Sequence, residues 1–245
     1  MTAKLLDVSG QIGRFTSGKC QFRSTDLTDV SSALIYLGVV NTGYSVSFFT
    51  PTILNQLGWT AVRAQIMSIP IYVAAAICAL IVALLTDGLK HRYSFCMLGV
   101  FIATIGYSLL LAQQWLSVPV RYFAVYLVTC GGYITQPVAL AWLSNNQAGH
   151  YKRAVSTAIQ IGLGNVGGIV ASNIYLSWQA PTYTIGYGVS LGLIWLCGIG
   201  CNVFLFGLWR ENRLRDQGKR DHLYLLPSEE LNNLGDDYPG FRFTY

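Results

Sequence analysis

The chain has 245 residues, of which 53% are hydrophobic and 11% are charged, and its formal net charge is +5. An ordinary soluble domain carries about a quarter charged residues, so this composition argues against a soluble globular protein. The positive charge does not indicate nucleic-acid binding, because the basic residues lie in the termini and in short loops between apolar runs. The acidic residues avoid the same runs, which predicts a protein embedded in a lipid bilayer.

Six apolar runs are long enough to cross a bilayer, which takes about 20 residues of helix. Lipid offers no hydrogen-bond partner to the main chain, so apolar segments of this length are expected to be helices. The predicted fold class is an all-α membrane protein with six transmembrane helices. A polar cytosolic segment (1–29) precedes the bundle (30–209), and a charged cytosolic tail (210–245) follows it. The predicted spans are 31–50, 64–86, 94–113, 121–143, 155–176 and 184–209.

The basic residues predict the orientation of this bundle. If the first span starts in the cytoplasm, all of the 16 Lys and Arg residues except Arg63 and Arg121 lie on the cytoplasmic side. Cytoplasmic loops are enriched in Lys and Arg, so both termini are predicted to be cytoplasmic. The segment 1–29 has no apolar core and is therefore not predicted to be a secretory signal peptide.

Polar side chains in the first and fourth spans are candidates for ligand contact. Such groups are costly in lipid and usually face the interior of a bundle or a water-filled cavity. The first span carries Asn41 and Tyr44, and the fourth carries Tyr133 and Gln136 on one helical face. A Gly-Gly pair and a proline beside them permit a kink in the fourth helix. The alternative is that these polar groups only form hydrogen bonds to neighbouring helices.

The fifth span contains the stretch QIGLGNVGGIVA (160–171), which has two competing interpretations. Its G-x-G-x-x-G pattern is the fingerprint of dinucleotide-binding enzymes, but that site needs a preceding strand and an acid about 20 residues later. The glycines lie in mid-span instead, and the next acid is Glu211. Its G-x-x-x-G pattern predicts close packing of membrane helices. The expected packing residues are Gly164, Gly167, Gly168 and Ala171, with Gln160 and Asn165 as further candidates for ligand contact.

No metal or other cofactor is expected. The three histidines lack the spacing of metal ligands, there is no Cys-x-x-Cys, and all the cysteines except Cys20 lie in predicted spans. A membrane enzyme or redox protein would need histidine pairs or acids within the spans, and the predicted spans contain neither. An enzyme is therefore not predicted.

Several stretches together resemble one family of membrane proteins. They are 48–65 (FFTPTILNQLGWTAVRAQ), 86–92 (TDGLKHR), 131–137 (GGYITQP), 149–153 (GHYKR), 160–175, 211–216 and 231–245. This set resembles the C-terminal half of a fungal major facilitator superfamily transporter, with the anion:cation symporters, the allantoate and nicotinate permeases, as the most similar branch. The resemblance covers residues 30–245. It implies that the six spans are helices 7 to 12 of a twelve-helix fold built as two halves around a central cavity.

The resemblance implies secondary transport of a small organic anion or vitamin-like metabolite by alternating access, with the plasma membrane as the expected location. It also implies that Asp87, Lys90 and Arg92 form a degenerate copy of the family's cytoplasmic loop signature, Asp-x-x-Gly-Arg-Arg. In this copy Lys90 stands where the signature has glycine.

The first half of that family fold is not found in this sequence. Alternating access needs two halves, so transport is expected to need the missing N-terminal half or another chain. The alternative is a non-transporting fragment or an incomplete gene model. The span interiors contain no base and no carboxylate. Anion binding by this half would therefore rely on the polar candidates and on helix dipoles, and a proton-coupling group would lie in the absent half.

Overall fold

The computed structural model describes residues 24–56, 58–148, 150–180, 182–221, 224 and 238–245. Within these ranges two short 3-10 turns, at Gln113–Trp115 and Ser177–Gln179, precede the fourth and the last helix. The α-helices of the described residues are α1 (Ser24–Gln56), α2 (Ala61–Leu89), α3 (Arg92–Leu111), α4 (Val118–Asn145), α5 (His150–Gly164), α6 (Val166–Ile174) and α7 (Thr184–Asp216).

In the described part of the chain, six segments are long and apolar enough to cross a membrane, which confirms the predicted all-α, six-span fold. The helix boundaries differ from the predicted ones by a few residues, and the differences are largest at the start of α1 and at the end of α7. α1 already begins at Ser24, and α7 continues past 209 to Asp216. α7 extends because Asn212 and Arg215 in its last two turns are buried against the final residues of the chain. Most of the segment 1–29 lies outside the described residues.

A helix interruption lies in the fifth span. α4 remains helical through its glycine pair and Pro137. In the fifth span, α5 and α6 are separated by a turn at Asn165 and cross as one broken helix. The Gly168 N–H donates to the Asn165 carbonyl, three residues back, at 2.9 Å, which tightens the helix locally.

α1 packs against α2, α4, α5, α6 and α7, and small residues let helices of the bundle approach closely. The Leu193 carbonyl of α7 lies so near Gly38 of α1 that a Cβ there would overlap it. Between α3 and α4, a Cβ on Gly131 would lie 2.6 Å from the Gly99 carbonyl oxygen. Van der Waals packing of this kind holds helices together in lipid, where burying apolar side chains gains little.

α2 carries an apolar stripe along its exposed side. A spacing of three or four residues places these side chains on one helical face. Lipid tails or another apolar helix suit such a face, whereas water does not. The stripe consists of Ile69, Val73, Ile77, Leu80 and Leu84, each more than half exposed.

Candidate functional site

A cleft of about 180 Å³ lies between α1, α4 and the turn that joins α5 to α6. It brings together side chains from the three spans that carry the predicted ligand contacts. Four of those predicted residues border it: Tyr44, Tyr133, Gln136 and Asn165. The rest of the lining comes from Val40, Gly43 and Ser47 of α1.

The α1 side of the cleft is one helical face, because Val40, Gly43, Tyr44 and Ser47 follow each other at i, i+3, i+4 and i+7. Gly43 has no side chain, and this leaves space between α1 and Gln136 of α4. A Cβ at this position would lie 3.8 Å from the side-chain oxygen of Gln136. A larger side chain at position 43 would therefore fill the space in front of the Gln136 amide.

The cleft lining offers hydrogen-bond donors and acceptors but no charged side chain. Gln136 Nε2 donates to the Tyr36 hydroxyl at 3.5 Å, which leaves most of the bonding capacity of the amide open. Asn165 is exposed at the turn and has no hydrogen-bond partner for its side chain among the described residues. In the same residues, no group of three or more His, Cys, Asp or Glu side chains could hold a metal ion.

Two tyrosine rings line the cleft together with these amides. Tyr44 stacks on Phe48 with ring centroids 5.6 Å apart. Tyr133 meets Tyr72 of α2 edge to face at 6.3 Å. Rings next to a few polar groups can hold a small flat molecule by stacking and fix its orientation by hydrogen bonds.

The predicted packing stripe of the fifth span faces α1. Gly164 lies against the ring of Tyr36, and Gly167 lies against the main-chain carbonyl of Leu37. Ala171, one turn further on, is fully buried. Each of the two glycines is so close to α1 that an added Cβ would overlap it, so this contact needs residues without side chains.

Gly168 connects the stripe to the cleft. A Cβ on Gly168 would lie 2.7 Å from Cδ2 of Tyr44. The Tyr44 ring therefore rests on the bare backbone of α6. This contact positions one of the aromatic residues that line the cleft.

Two predicted ligand contacts, Asn41 and Gln160, lie away from the cleft. Asn41 is fully buried and its Nδ2 donates to Ser190 Oγ of α7 at 3.2 Å. Gln160 is 1% exposed and its Nε2 donates to the Ser32 carbonyl of α1 at 3.4 Å. Both amides bridge helices, which is the alternative role that the sequence left open for polar residues in the spans.

Four polar residues of these sites were not singled out from the sequence, namely Ser45, Ser47, Tyr175 and Ser190. Ser190 is fully buried, and its Oγ also shares hydrogen bonds with the hydroxyls of Ser45 at 3.5 Å and Tyr175 at 3.4 Å. Ser47 borders the cleft, and its place one turn after Tyr44 is a signal that could have found it. No sequence spacing could have pointed to Ser190, because its partner Ser45 lies 145 residues away along the chain.

The predicted loop motif lies where α2 ends. Lys90 caps α2 in the left-handed conformation (φ 58°), and its N–H donates to the Thr86 carbonyl at 2.9 Å. Glycine adopts this conformation most readily, so Lys90 occupies a position that favours glycine. Arg92 pairs with Asp87 at 3.4 Å. With its amide in the orientation that satisfies its neighbours, Asn145 of α4 accepts a hydrogen bond from Arg92 Nη2 at 2.8 Å. Because Arg92 also pairs with Asp87 of α2, the motif connects α2 to α4.

Known transporters of fungi are similar to this chain. It is 38% identical over 174 residues to an uncharacterized transporter of Schizosaccharomyces pombe, covering 71% of this chain and 34% of that protein. It is 36% identical over 209 residues to an MFS-type transporter of Penicillium expansum, and the match covers 82% of this chain and 40% of that protein. It is 30% identical over 228 residues to the high-affinity nicotinic acid transporter of Saccharomyces cerevisiae, and the match covers 90% of this chain and 41% of that protein.

No family model and no solved structure matches the chain. The chain spans between 34% and 41% of the length of the three relatives. These relatives are named as transporters, and the six apolar helices of the described residues agree with half of a major facilitator fold. The chain is therefore an integral membrane protein that belongs to the fungal major facilitator-type transporters.

Proposed function

We propose that this chain is the second six-helix half, helices 7 to 12, of a secondary transporter of the anion:cation symporter branch. The transporter moves a small organic anion or vitamin-like metabolite by alternating access. The observation that carries the proposal is the cleft itself, in which Tyr44, Tyr133, Gln136 and Asn165 converge from the three polar spans.

The dimensions and chemistry of the cleft favour a small, flat substrate. Its volume of about 180 Å³ is below the range of roughly 300–1,000 Å³ that is typical of sites for drug-sized ligands. Two tyrosine rings and two amides suit a ring that carries hydrogen-bonding atoms. A relative named as a nicotinic acid transporter supports a substrate of this kind.

The charge of an anionic substrate needs a partner outside this cleft. None of its lining residues is charged. We assign the counter-charge and any coupling carboxylate or histidine to a second six-helix unit, either on the same chain or on another. The function of the present residues is then to bind the uncharged part of the substrate and to form one wall of the pathway.

Both termini face the cytoplasm in this proposal, and the plasma membrane is its site. The positive charges around the end of α7, including Arg210, Arg213 and Arg220, support that orientation, because cytoplasmic flanks are enriched in Arg and Lys.

Uptake in a fungal strain that lacks nicotinate and allantoate permeases tests the proposal. The chain is expressed alone, and also joined to the part of the Saccharomyces cerevisiae relative that it does not match. Labelled nicotinate and allantoate are then measured at equal surface abundance. Uptake by the joined protein and not by the chain alone is expected. Uptake by the chain alone would contradict the need for a second unit, and no uptake of either compound by a correctly located joined protein would contradict the substrate class.

A further inference from the structure

Residues Tyr238–Tyr245, called the terminal segment below, pack against one end of the helix bundle. At this end α3 begins and α4 and α7 finish. The segment starts with a tight turn, in which the Phe241 N–H donates to the Tyr238 carbonyl at 2.9 Å. It then runs without helix to Phe243 and Tyr245, whose rings pack against the hydrophobic core.

Two buried asparagines bind the main chain of the terminal segment. Asn146, just after α4, accepts from the Thr244 N–H at 2.8 Å and donates to the Thr244 carbonyl at 3.0 Å. Asn212 of α7 does the same for Phe243, with both distances 3.0 Å. Each asparagine therefore satisfies both backbone polar groups of one residue. Such paired bonds fix the position of an extended chain whatever its side chains are.

Further hydrogen bonds attach the segment to α3 and α4. The indole nitrogen of Trp142 donates to the Thr244 carbonyl at 3.1 Å. The main-chain N–H of Arg92, the first residue of α3, donates to the Tyr245 carbonyl at 2.9 Å. Since the Arg92 side chain also pairs with Asp87 of the loop motif, the motif and the terminal segment meet at one residue.

A buried cation completes the groove. Arg215 Nη1 donates to the Phe241 carbonyl at 2.7 Å, and its guanidinium lies 4.6 Å from the centroid of the Phe243 ring. The Glu211 carboxylate forms an ion pair with Arg215, with Nε and Oε1 3.4 Å apart, and it also accepts two hydrogen bonds of 2.9 Å from Arg220. A buried charge is stable only when it is paired and hydrogen-bonded, so Arg215 depends on the segment as well as on Glu211.

We propose that the terminal segment is a latch. It is bound in a peptide groove made by Asn146, Asn212, Arg215, Trp142 and the start of α3, and it holds the adjoining ends of α3, α4 and α7 together as one unit. Release of the segment frees these ends to move apart. This inference is independent of the substrate and of the transport activity.

Residue-resolved hydrogen exchange on the full chain in lipid nanodiscs tests the latch. The Phe243, Thr244 and Arg92 amides are expected to exchange about 100-fold or more slowly than in an unstructured peptide, because each donates a bond in the groove. This measurement needs no variant. Exchange of the Phe243 and Thr244 amides at the unstructured rate in the unaltered chain would overturn the proposal.

The variant Asn212→Leu, with Asn173→Leu as its control, tests whether the segment holds the helices. Asn173 lies on α6 and bonds the Ile169 carbonyl and Ser172 instead of the segment. Asn212→Leu is expected to speed exchange of the Thr244 amide and of the Asn146 amide, which donates to the Leu143 carbonyl at the end of α4, by about 10-fold, and the control to leave both unchanged. Faster exchange confined to the segment and to Arg92, whose amide donates to the segment, with the end of α4 unaffected, would show a passively bound tail and overturn the latch.

Discussion

The main chain of Gly167 in α6 lies directly against the carbonyl oxygen of Leu37 in α1, so closely that a Cβ would overlap it. This contact sets the distance between the broken fifth span and the central helix. Because Gly168 follows it and supports the Tyr44 ring, the same approach positions one wall of the cleft. The glycine pattern of this span is therefore a packing feature with a direct effect on the candidate site.

The first prediction compares two glycines of that pattern. Gly167→Ala is expected to lower the free energy of unfolding by about 1–3 kcal/mol, because its new methyl group meets main-chain atoms that cannot rotate away. Gly162→Ala is the matched control, since nothing lies within 4 Å of its Cβ position. It is expected to be neutral or to stabilise by up to about 1 kcal/mol through helix propensity. Thermal unfolding in detergent measures both, and equal effects would refute the packing role.

The second prediction concerns Lys90, which adopts φ 58° at the end of α2. A residue with a Cβ is strained in this conformation, whereas glycine is not. Lys90→Gly is therefore expected to raise the free energy of unfolding by about 0.5–1 kcal/mol, after the greater freedom of glycine in the unfolded chain is counted. Lys90→Ala removes the charge but keeps the Cβ and should give no such gain. Chemical denaturation distinguishes the two variants, and an equal gain from both would mean that the charge is responsible.

The third prediction tests the cleft with two asparagines of the fifth span. In the joined protein described above, Asn165→Leu is expected to reduce uptake at low substrate concentration by about 5- to 10-fold, the loss of one or two hydrogen bonds. Asn173→Leu is the control, because Asn173 bonds the Ile169 carbonyl and Ser172 outside the cleft. Uptake is normalised to protein at the cell surface. If both variants transport equally well, Asn165 does not contact the substrate.

The fourth prediction tests the orientation of the bundle. Trp115, between α3 and α4, is 89% exposed, and Gln217 is exposed just after α7. In intact cells a membrane-impermeant maleimide is expected to label Trp115→Cys, whereas Gln217→Cys should react only after the membrane is permeabilised. The unaltered chain sets the background from its own cysteines. Labelling of Gln217→Cys in intact cells would place the end of α7 outside and reverse the proposed topology.

Much of the candidate cleft could be predicted from single spans. Tyr133 and Gln136 stand one turn apart, and this spacing puts both on one helical face in any membrane helix. The same reasoning could not separate Tyr44 from Asn41. They are three residues apart on α1, yet one borders the cleft and the other bonds Ser190 of α7. The difference depends on which neighbour each side of α1 meets, and a single helix carries no such information.

The sequence by itself determined the six spans and their helical form. A bilayer leaves no other way to satisfy the main chain of a long apolar segment, so composition along the chain was sufficient. The tertiary structure alone decided that the fifth span breaks at Asn165, that Asn41 and Gln160 bridge helices, and that Asn146 and Asn212 bind the terminal segment. These outcomes depend on hydrogen-bond partners far away in the sequence, which come together only when the helices pack.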